Sequence, residues 1–458
     1  MENKKQSGGW ITTLSNWSQR FIPDAFPLVL TLTLLVAVLA LIFTESTPLS
    51  VLQNWYDGFW SMLTFTINIV MLMFTGFLVA NSKPVNKLLL KLAKIPKSTS
   101  SAVLLFMIVS IVLFYIHFAL GMAAAILFGK AMIVEQDKKG NKLPISLIAA
   151  AGGFCIVFQA GPTASAPLTV SSAGHFMEEV IGTIPLTETS MALPVILMNV
   201  VMAVIFILVF PRLASKLSMG ERDEADQEVL ARFQADVAAI QADETPSMSN
   251  FAEWMDNFWG FQVFIGICGL VMVIISIIKG GLAQLGFGSV NMLFFMLALI
   301  LHRTPANLTK AAREGITSVS GVVLQFPFYA GIFGILSYSG LGVVITGFFT
   351  SIASGRLFTT VVLWFSGLLN MLVPSGGSQF IVEAPYIIPA GMELGVDPAK
   401  IVNAFTCGDL LTNLIQPFWA IPVLGAYGIK FRKIFPYCLV AFGIAFVVLS
   451  GFFLLFMY

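Results

Sequence analysis

A chain of 458 residues that is 57% hydrophobic, 11% charged and of net charge +1 has too little polar surface for a soluble domain, and its mean hydropathy of +0.89 requires several helical membrane spans. Long unbroken apolar runs exclude a membrane β-barrel. With no basic face or tail, a nucleic-acid partner is excluded too.

In chain order, the first 24 residues are too polar for a cleaved signal peptide, and Trp10, Leu14, Trp17 and Phe21 recur at helical spacing, which predicts a cytoplasmic interfacial helix. Apolar runs of about 20 residues predict nine crossings, near 25–44, 61–80, 143–171, 192–212, 258–278, 287–302, 316–337, 401–427 and 434–456. Two further stretches, 102–134 and 357–391, carry polar or helix-breaking residues at their centres, His117 to Gly121 and Pro374 to Gln379, and read as re-entrant hairpins. A hairpin at 102–134 keeps the lysine-rich loops 83–97 and 130–142 on one side. With the N-terminus inside, all of the 25 Lys and Arg except Lys279, Arg356 and Lys400 become cytoplasmic, and the C-terminus lies outside.

The polar segment 214–256 reads as a solvated cytoplasmic helix broken at Pro246, after which an Asn250–Glu253 capping box starts a short interfacial helix with Trp254 and Trp259. Cys155, Cys268, Cys407 and Cys438 lie in apolar segments without metal or disulfide spacing and read as small core residues. Sliding the first half forward by about 257 residues matches hairpin to hairpin and Gly153, Gln159, Pro167 to Gly408, Gln416, Pro422, the pattern of an inverted repeat. The expected organisation is an interfacial N-terminus (1–24), a first repeat (25–213), a linker (214–257), a connecting helix (258–279) and a second, inverted repeat (280–458). Hairpins occupy 102–134 and 357–391, and broken helices occupy 143–171 and 401–427.

Function is concentrated where hydrocarbon should not tolerate the sequence. In GDLLTNLIQPFWAIP, Gly408 to Pro422, a carboxylate stands at membrane depth, so Asp409 must face protein, water or an ion. Thr412, Asn413 and Gln416 share its helix face, and Pro417 opens the helix near 413–417. The first broken helix offers Gln159, Gly161, Thr163 and Ser165. The hairpin tips offer His117 and Gly121, and Ser375, Gly376, Gly377, Ser378 and Gln379, whose glycines let backbone amides approach a ligand. No Lys or Arg lies at the expected midplane, which favours a small monoanion held by helix N-termini, amides and hydroxyls. Asp409 and Asn413 are candidates for a sodium ion, Asp409 equally for a proton, and His117 and Glu383 are open between site and structure. No organic cofactor is expected. A membrane-embedded enzyme is disfavoured by the presence of only three histidines and the absence of an HExxH motif.

VPSGGSQFIVEAPYIIPA at Val373 to Ala390 and GDLLTNLIQPFWAIPVLG at Gly408 to Gly425 resemble the short-chain fatty acid uptake (AtoE) family of bacterial inner-membrane transporters. TPSMSNFAEW at Thr245 to Trp254 and SAPLTV at Ser165 to Val170 extend the resemblance over nearly the whole chain. It implies uptake of small carboxylates such as butyrate or acetoacetate, two hairpins, two unwound helices and a homodimer. Departures lie at Tyr115 to Phe118, where the family shows an Asn-Trp-Gly-like tip, at Gln159 to Gly161, in place of a His-Gly-Gly-like run, and at Glu383, in place of Gln. They leave a dicarboxylate or another organic acid open as substrate.

Overall fold

The computed structural model describes residues 25–217, 224–241 and 248–457, and among them it is helical with no strand. The interfacial helix expected within 1–24 and the break at Pro246 lie outside the described residues. Three helices open the fold: α1 (Ala25–Phe43), α2 (Pro48–Phe59) and α3 (Leu63–Ala80). The short α4 (Lys83–Ala93) leads into α5 (Thr99–Ile116) and α6 (Phe118–Lys138), which pack on each other and meet at His117. Then come α7 (Ile145–Phe154), a 3₁₀ turn (Cys155–Gln159), α8 (Ser165–Val170), α9 (Glu178–Ile181) and the long α10 (Leu193–Leu217).

The polar helix α11 (Glu224–Gln241) and α12 (Phe251–Asn257) precede α13 (Trp259–Gly280). The later half comprises α14 (Phe287–His302), α15 (Pro305–Tyr338), α16 (Leu341–Ile352), α17 (Gly355–Asn370), α18 (Gly376–Glu393), α19 (Pro398–Asn413), α20 (Pro417–Tyr427) and α21 (Phe431–Phe456). Among the described residues eight helical segments are long and apolar enough to cross a membrane, including both α5 and α6. The apolar segments around α7, α14, α16 and α20 are shorter.

Glycines bring backbones together where the halves are densest. A Cβ on Gly408 of α19 would lie 2.8 Å from Ser366 Cβ and 3.1 Å from Gly367 N on α17. On Gly58 of α2 it would lie 2.8 Å from the Cα of Gly334 on α15. In lipid, where burial of apolar surface gives little drive between helices, such close van der Waals contact holds pairs together.

Several details differ from the sequence expectation. The loop 45–60 contains α2, because Thr47 and Ser50 form a capping box and Pro48 suits the first helical turn. α15 starts at Pro305 rather than near 316, capped by the Thr304 side chain on Asn307 N. Its 34 residues span about 51 Å at 1.5 Å each, longer than a hydrocarbon layer of about 30 Å. The Asn250 side chain accepts from Glu253 N at 2.9 Å, but the Glu253 carboxylate turns to Ser249 N and Oγ at 2.9 and 2.7 Å, so the reciprocal half of the box lies one residue earlier. Cys155, Cys407 and Cys438 are buried, whereas Cys268 is exposed, because α13 keeps few inward-facing positions.

The largest difference concerns α11, expected to be solvated. Val229, Phe233 and Val237 form one apolar stripe at i, i+4, i+8 and are buried against α6, each burial contributing about 1.5–3 kcal/mol. Lys130 of α6 pairs with Asp236 at 2.7 Å and lies 5.4 Å from the Phe233 ring centre. Phe233 meets Tyr427 at the end of α20 edge-on at 5.1 Å, and Asp226 pairs with Lys433 of α21 at 3.0 Å. A polar helix thus bridges α6 of the earlier half to α20 and α21 of the later one.

Candidate functional site

The second hairpin places its tip against the interruption between α19 and α20. Ser375 precedes α18 in extended backbone and provides no side-chain cap, leaving the first-turn amides of Gly376, Gly377 and Ser378 without intrahelical partners. Asp409 is 3% exposed, and its Oδ2 lies 2.8 Å from where a Cβ on Gly376 would stand. A side chain at Gly376 would make this carboxylate shift away from the tip backbone. α19 ends at Asn413 and α20 resumes at Pro417, with Gln416 extended between them.

Asn370, at the end of α17, ties these parts together. Its Nδ2 donates toward the Asp409 carbonyl at 2.8 Å, Thr412 Oγ1 at 2.9 Å and Asn413 Oδ1 at 2.8 Å. Two N–H bonds serve three acceptors, so one is shared. Thr412 Oγ1 donates in turn to the Gly367 carbonyl at 2.8 Å, and Gln416 Nε2 donates to Asn413 Oδ1. Gln379 Nε2 donates to Glu383 Oε2 at 2.9 Å and to the Ser366 carbonyl at 2.7 Å, while Ser366 Oγ donates to Glu383 Oε1 at 3.0 Å.

Four buried side-chain oxygens in this cluster have no hydrogen-bond partner: Asp409 Oδ1, Asn370 Oδ1, Gln379 Oε1 and Gln416 Oε1. A buried orphan acceptor costs about 1–3 kcal/mol, and hard cations are bound by such oxygens. Among the described residues no group of three or more His, Cys, Asp and Glu side chains forms a metal-binding set. The donor chemistry here is that of amides, hydroxyls and two carboxylates, Asp409 and, hydrogen-bonded to Gln379 and Ser366, Glu383.

The first hairpin forms a separate cluster. His117 is fully buried, with its ring 4.3 Å from that of Phe294 and its Nδ1 2.6 Å from where a Cβ on Gly76 would stand. Neither ring nitrogen makes a full hydrogen bond, although the Leu72 carbonyl is within electrostatic reach. Thr163 Oγ1 donates to the Ile116 carbonyl at 3.3 Å, and Gly161 packs on Tyr115, whose Cδ2 is 3.0 Å from a Cβ built there. Asn199 Nδ2 donates to the Ala160 carbonyl at 3.2 Å, and Gln159 Oε1 is buried without a partner. Gly121 sits 2.7 Å, Cβ position to Cα, from Phe114 and lets the arms of the hairpin touch. The Ser165 carbonyl accepts from Thr169 Oγ1 at 2.6 Å within α8.

The predicted residues are thus gathered into two clusters. Ser375 to Gln379 join Asp409, Thr412, Asn413 and Gln416, whereas Gly161 and Thr163 meet the first hairpin at Tyr115 and Ile116 and the adjacent His117 ring turns to Gly76 and Phe294. Among the described residues no hydrogen bond connects the two sets, although α19 packs against both the 3₁₀ turn and α8. Sequence reasoning missed Asn370, Ser366 and Asn199. For the first two a signal existed: Thr359, Ser366 and Asn370 fall on one helical face of an otherwise apolar run.

The sequence profile described as Short chain fatty acid transporter matches residues 10–456. The chain belongs to this family. A family relative from Escherichia coli (strain K12), provisionally named a short-chain fatty acid transporter, is 30% identical over 440 residues, which are 95% of this chain and 97% of that one. A second, with the same provisional name and from Haemophilus influenzae (strain ATCC 51907 / DSM 11121 / KW20 / Rd), is 28% identical over 437 residues, 93% and 95% of the two chains. The fold is that of solved transporters. Similarity to the Alcanivorax borkumensis YdaH transporter reaches a TM-score of 0.62 at 16% identity, covering 94% of this chain and 98% of the other. Neisseria gonorrhoeae MtrF, described among antimetabolite efflux pumps, gives 0.59 at 13% identity, covering 98% and 97%. This short-chain fatty acid transporter family member is accordingly a multi-pass membrane protein of a transporter family, not of an enzyme family.

Proposed function

We propose that the chain is a secondary-active transporter that takes up short-chain fatty acids or related small carboxylates by alternating access, coupled to a sodium or proton gradient. The observation that carries the reading is the approach of Asp409 to the uncapped tip at Gly376, amid buried oxygens that lack partners. A substrate carboxylate rests on the tip amides, and a cation beside Asp409 and Asn413 offsets the repulsion between the two carboxylates. No Lys or Arg occurs in 366–383 or 408–417, so there is no fixed positive charge for a second substrate carboxylate. This supports a monoanion over a dicarboxylate.

Sodium is supported by the four unpartnered oxygens. A proton-coupled alternative rests on a different observation, that Glu383 is fully enclosed with only the neutral Ser366 and Gln379 as hydrogen-bond partners. The test is uptake of labelled butyrate and acetoacetate into proteoliposomes, above the rate of protein-free liposomes, under an imposed inward sodium or proton gradient. Accumulation under one gradient names the ion. Accumulation of neither acid under either gradient would overturn the reading.

A further inference from the structure

Gly377 follows Gly376 by one residue, about 100° around the helix, so the two glycines face different surroundings. Where Gly376 faces the Asp409 carboxylate, a Cβ on Gly377 would stand 3.3 and 3.5 Å from Cζ and Cε2 of Phe326 and 3.7 Å from Cδ1 of Ile69. The tip is therefore polar on one side and apolar on the other. Phe326 is 2% exposed and held from behind, with the Phe65 ring stacked on it at 6.0 Å and 17° and Tyr329 edge-on at 6.5 Å and 90°. Such a wall has little freedom to swing aside, because Phe65 and Tyr329 pack against it.

Resting on the transport reading above, we propose that Phe326 and Ile69 are the residues that set substrate chain length. An acid whose carboxylate occupies the tip amides turns its alkyl end onto the Phe326 ring and the Ile69 side chain. A short saturated tail is buried there. A longer tail meets the ring and the Phe65 behind it. A second carboxylate would be desolvated against two hydrocarbon side chains, a strongly unfavourable placement.

The experiment is competition of labelled butyrate uptake in proteoliposomes by unlabelled acetate, butyrate, hexanoate and succinate, under combined sodium and proton gradients. In Phe326→Leu and Ile69→Ala, hexanoate should compete better relative to acetate, by about fourfold for each methylene newly accommodated, which corresponds to about 0.8 kcal/mol. Gly377→Ala should shift the series the other way, because its methyl would press on the Phe326 ring at 3.3 Å, closer than ordinary van der Waals contact. Succinate should compete poorly throughout. A uniform change for all acids in these variants, with the chain-length profile of the wild type kept, would overturn the assignment while leaving transport intact. Absence of butyrate uptake by the wild type would overturn the transport reading and this inference with it.

Discussion

Asp409 has the least conventional environment of any residue in the second cluster, since its carboxylate faces glycine backbone and one of its oxygens is unpaired. Asp409→Asn is expected to abolish concentrative uptake while leaving membrane insertion intact; uptake at the wild-type level in the variant would assign the residue to helix packing. Asn370→Ala removes the donor shared by the Asp409 carbonyl, Thr412 and Asn413. With about 1–3 kcal/mol at stake for each orphaned acceptor, butyrate affinity should fall on the order of tenfold, and an unchanged affinity would contradict the positioning role. His175 lies between α8 and α10, outside the apolar spans. Met177 N donates to its Nδ1 at 3.2 Å and its Nε2 meets the Gly182 carbonyl at 2.9 Å, so the ring is neutral and protonated on Nε2. Burial lowers its pKa from 6.5, with the Gly182 carbonyl and Glu178 opposing. Because the folded value is depressed, the stabilisation is complete above about 6.5 and is lost as pH falls below it. The protection factor of the Met177 amide, its exchange rate corrected for the intrinsic pH dependence, should fall in that window and should not in His175→Gln. Asp409 was legible in the sequence because one charge in an apolar run admits few explanations. Asn370 was overlooked although Thr359 and Ser366 share its helix face, because an amide at the end of a hydrophobic stretch also fits an interfacial position.

Elements depend on close approach as much as on hydrophobicity. Gly408→Val should part α17 from α19, because its side chain would meet Ser366 Cβ and the Gly367 amide within 2.8 and 3.1 Å. The expected destabilisation is about 1–3 kcal/mol, read as a lower melting temperature in detergent together with weakened butyrate binding; a variant as stable as the wild type would show that the pair can separate without loss. The interruptions of 143–171 and 401–427 were marked in the sequence by proline and polar residues. The docking of α11 was hidden, because three apolar residues on a helix otherwise rich in charge resemble the sparse pattern of a solvated helix. Partners far away in sequence, Lys130 and Tyr427, give that stripe something to bury against.

For the whole molecule, composition was enough to establish a polytopic helical protein, since no other class tolerates so few charges. Helix ends were less legible where solvent-facing turns extend a span, as the Thr304 cap extends α15. The bridge made by α11 grips both halves through Lys130–Asp236 and Asp226–Lys433, which gives the proposed alternating-access cycle a test. Replacing all four residues with cysteine and joining each pair with a short bis-maleimide should stop uptake and spare butyrate binding. Joining either pair alone should keep uptake, because the helix remains free to part at its other end. Full uptake with both joined would mean that α6 and α21 move as one body. The docking free energy of α11 also belongs only to arrangements in which both grips close. Every 1.4 kcal/mol it contributes makes the opposite-facing state about tenfold rarer at rest. On the proposed alternating-access reading, weakening this helix should tighten binding from one face of the membrane while loosening it from the other, although it lies apart from the Asp409 cluster.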